Sequence, residues 1–175
     1  MNRYEHLPRE LESTALIHFQ ECDPFGHLNN ARYIDFFINA RQEQLSHHYG
    51  LEIIKPGQTE SWVVNKTQIA FISPANLMEK VLIRTRLIAY SDRTLTVEGL
   101  MLNEEGTRLK AISWVEFTYV SLQSGRPVDH PDDLMEMFEG VRFDGAAAAV
   151  SFDQRVDVVR AQFRRQPQAV EQVAA

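Results

Sequence analysis

The sequence predicts an α+β domain in which a five-stranded antiparallel sheet curls around one long helix, with a C-terminal helical extension. Three observations carry this. Hydrophobic spacing passes from a two-residue period to a helical one and back, in the order strand, helix, four strands. The last three strands are joined by short turns, which suit antiparallel neighbours. The sheet alternates apolar and polar residues, so it must bury one face, and a single helix of about five turns is available to cover it.

The first strand is expected over residues 13–21, with Ile17 and Phe19 on one face and His18 and Gln20 on the other. Asp23-Pro24-Phe25-Gly26 then breaks the pattern as a turn. The long helix is expected from Asn30 to Tyr49, capped by Asn29 or Asn30 and stopped by Gly50. Its mostly apolar stripe combines Tyr33, Phe37, Ala40 and Gln44 with Ile34, Ile38, Arg41 and Leu45, which fits core packing. Four further strands are expected over 61–72, 80–90, 94–103 and 107–121. The first of these sets Val63, Asn65, Thr67, Ile69 and Phe71 against Trp62, Val64, Lys66 and Gln68. The last sets Leu109, Ala111, Val115, Phe117 and Tyr119 against Lys110, Trp114 and Glu116. A short helix is expected from Pro131 to Glu139, with Pro at its first position, then a low-complexity connector over 144–150. A final helix from Ser151 to about Arg165 presents Phe152, Val156, Val159 and Phe163, a face suited to packing on the domain or on a partner subunit.

The 175 residues suit one folded domain, here residues 1–140, with 141–175 as an extension expected to be helical. The net charge of −6 argues against general nucleic-acid binding, which uses a basic face. One cysteine, Cys22, excludes a disulfide framework within the chain. No apolar run approaches the roughly 20 residues of a membrane helix, and the first residues lack the apolar core of a signal peptide, so a cytoplasmic protein without membrane contact is expected.

Chemistry concentrates at the turn before the long helix. A helix N-terminus offers unpaired backbone N–H groups, which can hold an oxyanion. Asp23 lies just upstream in a loop stiffened by Pro24. Donors for a carbonyl oxygen and a base or nucleophile beside its carbon are what acyl transfer requires. Read alone, Asp23 is more simply a cap or turn residue, and His27 a hydrogen-bonded structural histidine. Cys22 is a poor thiolate candidate because Asp23 adjoins it. No metal-binding spacing is present around His47-His48.

The segment Asp23-Pro24-Phe25-Gly26-His27-Leu28-Asn29-Asn30-Ala31-Arg32-Tyr33, continuing to Phe37, Ala40 and Arg41, resembles the signature of the 4-hydroxybenzoyl-CoA thioesterase family of the hotdog fold. Phe71-Ile72-Ser73-Pro74-Ala75 and Ser91-Asp92-Arg93-Thr94-Leu95-Thr96-Val97-Glu98 resemble two further, more degenerate parts of it, and the likeness runs from about 13 to 140. The resemblance implies hydrolysis of an acyl-CoA thioester. Asp23 falls on the catalytic carboxylate, as nucleophile or general base. The backbone N–H near Asn30 falls on the oxyanion donor, with the His27 and Asn30 side chains positioning the thioester. Gly26 and Tyr33 fall at the substrate, and Arg93 with Thr94 falls on the hairpin near the nucleotide. Arg84, Arg86, Arg108 and Lys110 are further basic candidates, each better explained by a solvated sheet face.

The resemblance also implies a homodimer or homotetramer with active sites between subunits, and no cofactor, since CoA belongs to the substrate. An acyl-carrier-protein thioesterase and a non-catalytic acyl-CoA-binding module are the main alternatives; a hydratase on the same fold is disfavoured, because His27 stands in the wrong motif.

Overall fold

Residues 2–146 and 151–164 are described by the computed structural model. The strands are β1 (Leu11–Leu16), β2 (Glu60–Phe71), β3 (Lys80–Tyr90), β4 (Thr94–Asn103) and β5 (Leu109–Ser121). The helices are α1 (Tyr33–Tyr49), α2 (Asp132–Val141) and α3 (Phe152–Arg164). All strand pairs are antiparallel, in the order β1-β3-β4-β5-β2, so β1 and β2 form the two edges. Among the described residues no helix is long and apolar enough to cross a membrane.

α1 lies on the inner face of the sheet. Tyr33, Phe37 and Ala40 pack against Val81, Ile83, Met101 and Ala111. The approach is close at Gly99, where an added Cβ would stand 2.5 Å from the Phe37 ring. Asn29 caps the helix start by accepting a hydrogen bond from the Ala31 amide, and one 3-10 turn, Asn30–Arg32, precedes α1. Gly50 ends it with φ 63°, a left-handed conformation that a Cβ would strain. The buried stripe of α1 is not purely apolar, since it includes Arg41 and Gln44.

α2 closes one end of this layer through Leu134, Met137, Phe138 and Val141, packed with Leu87 and Tyr119. Pro131 is its N-cap, not its first helical residue. α3 covers the opposite, outer face of the sheet, where Phe152, Val156 and Val159 meet Leu100, Leu102, Leu109 and Ile112. The amphipathic face of the extension is thus spent within the chain. An ion cluster pins it. Arg155 of α3 binds buried Glu98 at 2.7 Å, and Arg86 binds the same carboxylate. Residues 147–150 of the expected connector and residue 165 of the expected last helix lie outside the described residues.

Three expectations are corrected. β1 runs from Leu11 to Leu16 and stops before the predicted end. The Glu21 carboxylate accepts a hydrogen bond from the His18 amide, which draws Phe19–Glu21 into a 3-10 turn. Ile17 is therefore buried while Phe19 is 82% exposed. In β2 the register shifts between Val64 and Lys66, leaving Asn65 unpaired in a bulge. The alternation inverts there, so Trp62 joins one core cluster and Ile69 another. A second shift, between Met101 and Leu102, sends Leu109 to the outer face.

Candidate active site

The turn between β1 and α1 is built on backbone pairing. The Asp23 amide donates to the His27 carbonyl at 2.8 Å, and the Gly26 amide donates to the Asp23 carbonyl at 3.0 Å. The Asp23 carboxylate closes the turn with one oxygen: Oδ1 accepts from the Phe25 amide at 2.9 Å and the His27 amide at 3.1 Å. Oδ2 accepts no hydrogen bond from the described residues. Gly26 sits at φ 75°, and an added Cβ there would meet nothing within 4 Å, so the position requires glycine for its backbone angle.

The turn rests on the loop that joins β2 to β3. Leu28 donates to the Ala75 carbonyl, and Leu77 donates to the Gly26 carbonyl, both at 2.8 Å. That loop is fixed by a buried pair. Lys110 Nζ donates to the Pro74 carbonyl at 2.8 Å and meets Glu79 at 2.6 Å, while Glu79 accepts from the Asn76 amide. Burial alone would raise the Glu79 carboxyl, but Lys110 and Asn76 outweigh it and hold the group below its ordinary range.

Asn30 opens the 3-10 turn ahead of α1, and its amide donates to no described residue. It is an orphan N–H at a helix start, the kind of donor that can take a carbonyl oxygen. The His27 ring stacks against exposed Phe25 with centroids 6.4 Å apart. Tyr33 lies beneath the loop, buried, its hydroxyl accepting from the Ala75 amide at 3.3 Å. Cys22 is no thiolate: burial, then the Asp23 and Glu21 carboxylates, push its pKa up.

The fold brings Asp23, Gly26, His27, Asn30 and Tyr33 together. It does not bring Arg93 and Thr94 to them within one chain. Arg93 sits in the β3–β4 turn and Thr94 opens β4, at the end of the sheet opposite the Asp23 turn. The 11 residues of β3 separate the two ends, about 33 Å at the usual strand rise. Arg93 pairs there with Asp129, and Thr94 shares a hydrogen bond with Ser91. Three of the other basic candidates are engaged elsewhere: Arg84 with Glu10 and Glu12, Arg86 with Glu98 and Glu10, Lys110 with Glu79. Sequence reasoning missed Lys110 and Glu79 as supports of the turn, because Lys110 reads as an outward residue of an alternating strand.

The Thioesterase-like superfamily model matches residues 17–138, which span the turn, α1 and all strands after it. The chain belongs to this superfamily. Its match to curated relatives includes the acyl-CoA thioester hydrolase YbgC of Escherichia coli O6:H1, 26% identical over 93 residues that make up 53% of this chain and 69% of YbgC. Among solved structures, the DHNA-CoA thioesterase from Staphylococcus aureus superposes with a TM-score of 0.69 at 16% identity, covering 87% of this chain and 94% of its own. The 1,4-dihydroxy-2-naphthoyl-CoA thioesterase Slr0204 from Synechocystis gives 0.66 at 14% identity, covering 73% and 95%. These two likenesses establish the hotdog fold for this member of the Thioesterase-like superfamily, with α3 added to the sheet's outer face.

Proposed function

We propose that this protein hydrolyses an acyl-CoA thioester to a carboxylic acid and CoA, with Asp23 at the reacting carbon and the Asn30 backbone N–H at the carbonyl oxygen. One observation carries the reading: a carboxylate held by one oxygen, with the other oxygen free, beside a helix start whose first amide is unused. The similarity to YbgC supplies the substrate class.

The thioester carbonyl oxygen accepts from the Asn30 amide, which takes up the charge that develops when the carbon becomes tetrahedral. Asp23 Oδ2 then either removes a proton from an attacking water or attacks the carbon itself. In the first route the water oxygen bonds to the acyl carbon, the C–S bond breaks, and the proton passes to the departing sulfur. In the second, an anhydride with Asp23 forms as CoA thiolate leaves, and water then cleaves it. In a single turnover in 18O water, an acid without label marks attack by the carboxylate, with water then opening the anhydride at the Asp23 carbonyl carbon. The His27 and Asn30 side chains orient the thioester in either route.

Assembly completes the site. β2 is an edge strand of 12 residues, and Val63, Val64 and Phe71 along it are 46–47% exposed. The outer side of such an edge carries a row of unpaired backbone groups, which invites pairing. Two copies joined through β2 about a two-fold axis run antiparallel. The Glu60 end of one β2 then lies beside the Phe71 end of the other. Val63 pairs with Thr118, which pairs with Thr94, so the Arg93 hairpin belongs to the Glu60 end. A homodimer therefore carries Arg93 and Thr94 of one protomer toward Asp23 of the other, where the CoA phosphates need a cation. The cytoplasm is the proposed compartment.

The test is a panel of acyl-CoAs with detection of the released thiol. Native protein is expected to turn over at least one of them, and Asp23→Asn to lose about 100-fold or more in kcat. Turnover that Asp23→Asn leaves intact would move the site elsewhere, and inertness of native protein toward the whole panel would favour a binding module.

A further inference from the structure

A cavity of about 210 Å3 lies between the C-terminal half of α1, the sheet and α2. Its wall is almost wholly apolar, with Leu45, Trp62, Leu87, Val97 and Phe138 among the lining residues. One charge interrupts it. Arg41 lines the cavity and is 8% exposed. Its Nη1 donates to the Thr85 hydroxyl at 3.1 Å, but its Nε has no hydrogen-bond partner. No described carboxylate forms an ion pair with it. Ser113 Oγ, buried and likewise without a partner, lines a small recess that shares Arg41, Ile38, Val97 and Phe117 with the cavity.

A guanidinium taken out of water without an anion is costly, and buried charges in folded proteins are normally paired. Burial pulls the Arg41 pKa down to about 10, which still leaves it charged at neutral pH. The fold keeps an arginine, with its rigid fork of donors for a planar anion, where an apolar residue would pack at less cost.

We infer that this cavity is a binding site for a compact carboxylate: an apolar body of about aryl size whose carboxylate pairs with Arg41. The size follows from the volume. A dry cavity of about 150 Å3 takes benzene, so this one admits an aromatic ring or a short chain. The chemistry is that of a free carboxylic acid, or of the far carboxylate on the acyl group of a dicarboxylic half-thioester. The second source rests on the thioesterase reading and on pairing through β2, which turns the Trp62 end of one protomer toward Asp23 of its partner.

Isothermal titration calorimetry on the full chain tests the site with benzoate and with uncharged benzamide. Benzoate is expected to bind one per chain, about tenfold or more tighter than benzamide, the scale of one charge-assisted hydrogen bond. Arg41→Met should erase that difference, and Arg41→Lys should restore part of it. Val97→Phe, which fills the cavity and keeps the arginine, should abolish binding of both, so the inference stays testable if Arg41→Met does not fold. Equal binding of the two probes by native protein, or no binding of either, overturns the inference. Hydrolysis of glutaryl-CoA against valeryl-CoA, with equal carbon counts, assigns the source. A preference for glutaryl that Arg41→Met removes marks the acyl group; equal rates together with benzoate binding mark the free acid. Benzoate binding in a protein that hydrolyses no thioester would retain the site and remove the thioesterase reading. Hydrolysis without selective benzoate binding would do the reverse.

Discussion

At the residue scale, the Asp23 turn was legible because its form depends on local sequence, a carboxylate, a proline and a glycine ahead of a helix start, while the catalytic role proposed for Asp23 came from the family resemblance. Residues whose roles depend on distant partners were not. Lys110 looks like one more outward side chain of β5, yet it is buried against Glu79 and the loop that carries the Asp23 turn. His130 is a second case. Its Nε2 accepts from the Trp62 indole N–H at 3.1 Å, and its Nδ1 lies 3.1 Å from the Ser91 carbonyl, which fixes a neutral ring with the proton on Nδ1. Burial holds its pKa below the ordinary 6.5, against the raising effect of its backbone partners and nearby Asp129 and Asp92. The unfolded chain therefore takes up a proton at a higher pH than the folded one. Stability is full above 6.5 and falls as the pH drops from there through the folded value. Thermal melts of native protein should show this loss below 6.5, and His130→Phe should flatten it.

At the element scale, every strand and helix was legible from periodicity, while the places where periodicity is interrupted were not. A bulge leaves no mark in composition, so the inversion within β2 at Asn65 could not be read from alternating Val, Trp and Ile. The end of β1 was misread for a related reason: the Glu21–His18 hydrogen bond outcompetes the ladder, and Phe19 has no way to signal that it faces water. The seating of α1 on the sheet depends on Gly99, since any side chain on β4 there runs into Phe37. Gly99→Ala should lower stability by about 1–3 kcal/mol, read from the denaturant midpoint at unchanged m-value. Preserved stability would mean that Phe37 has another rotamer to adopt.

At the scale of the whole molecule, Arg93 and Asp23 stand at opposite ends of the sheet, so the proposed site needs a second copy to bring them together. A homodimer is the expected state in sedimentation at micromolar concentration. Val63→Lys places a charge on the β2 edge of each copy, so it should give monomers with little thioesterase activity while the far-ultraviolet circular dichroism stays native. α3 occupies the outer sheet face around Leu100, Leu102, Leu109 and Ile112, so a second sheet could not stack on that part of it.

That same covering sets an order of events on the ribosome. The strands supply Leu100, Leu102, Leu109 and Ile112, but the helix that shields them is made only when synthesis reaches Phe152–Arg164. At roughly 5–20 residues per second, the nascent sheet waits for seconds with an apolar flank and the Glu98 carboxylate uncovered. A message broken just after the superfamily region would encode every strand and every candidate catalytic residue, and still yield a sticky polypeptide. The last helix is thus expected to act as a finishing step in biogenesis, and chaperone demand should rise when translation stalls between residues 122 and 151.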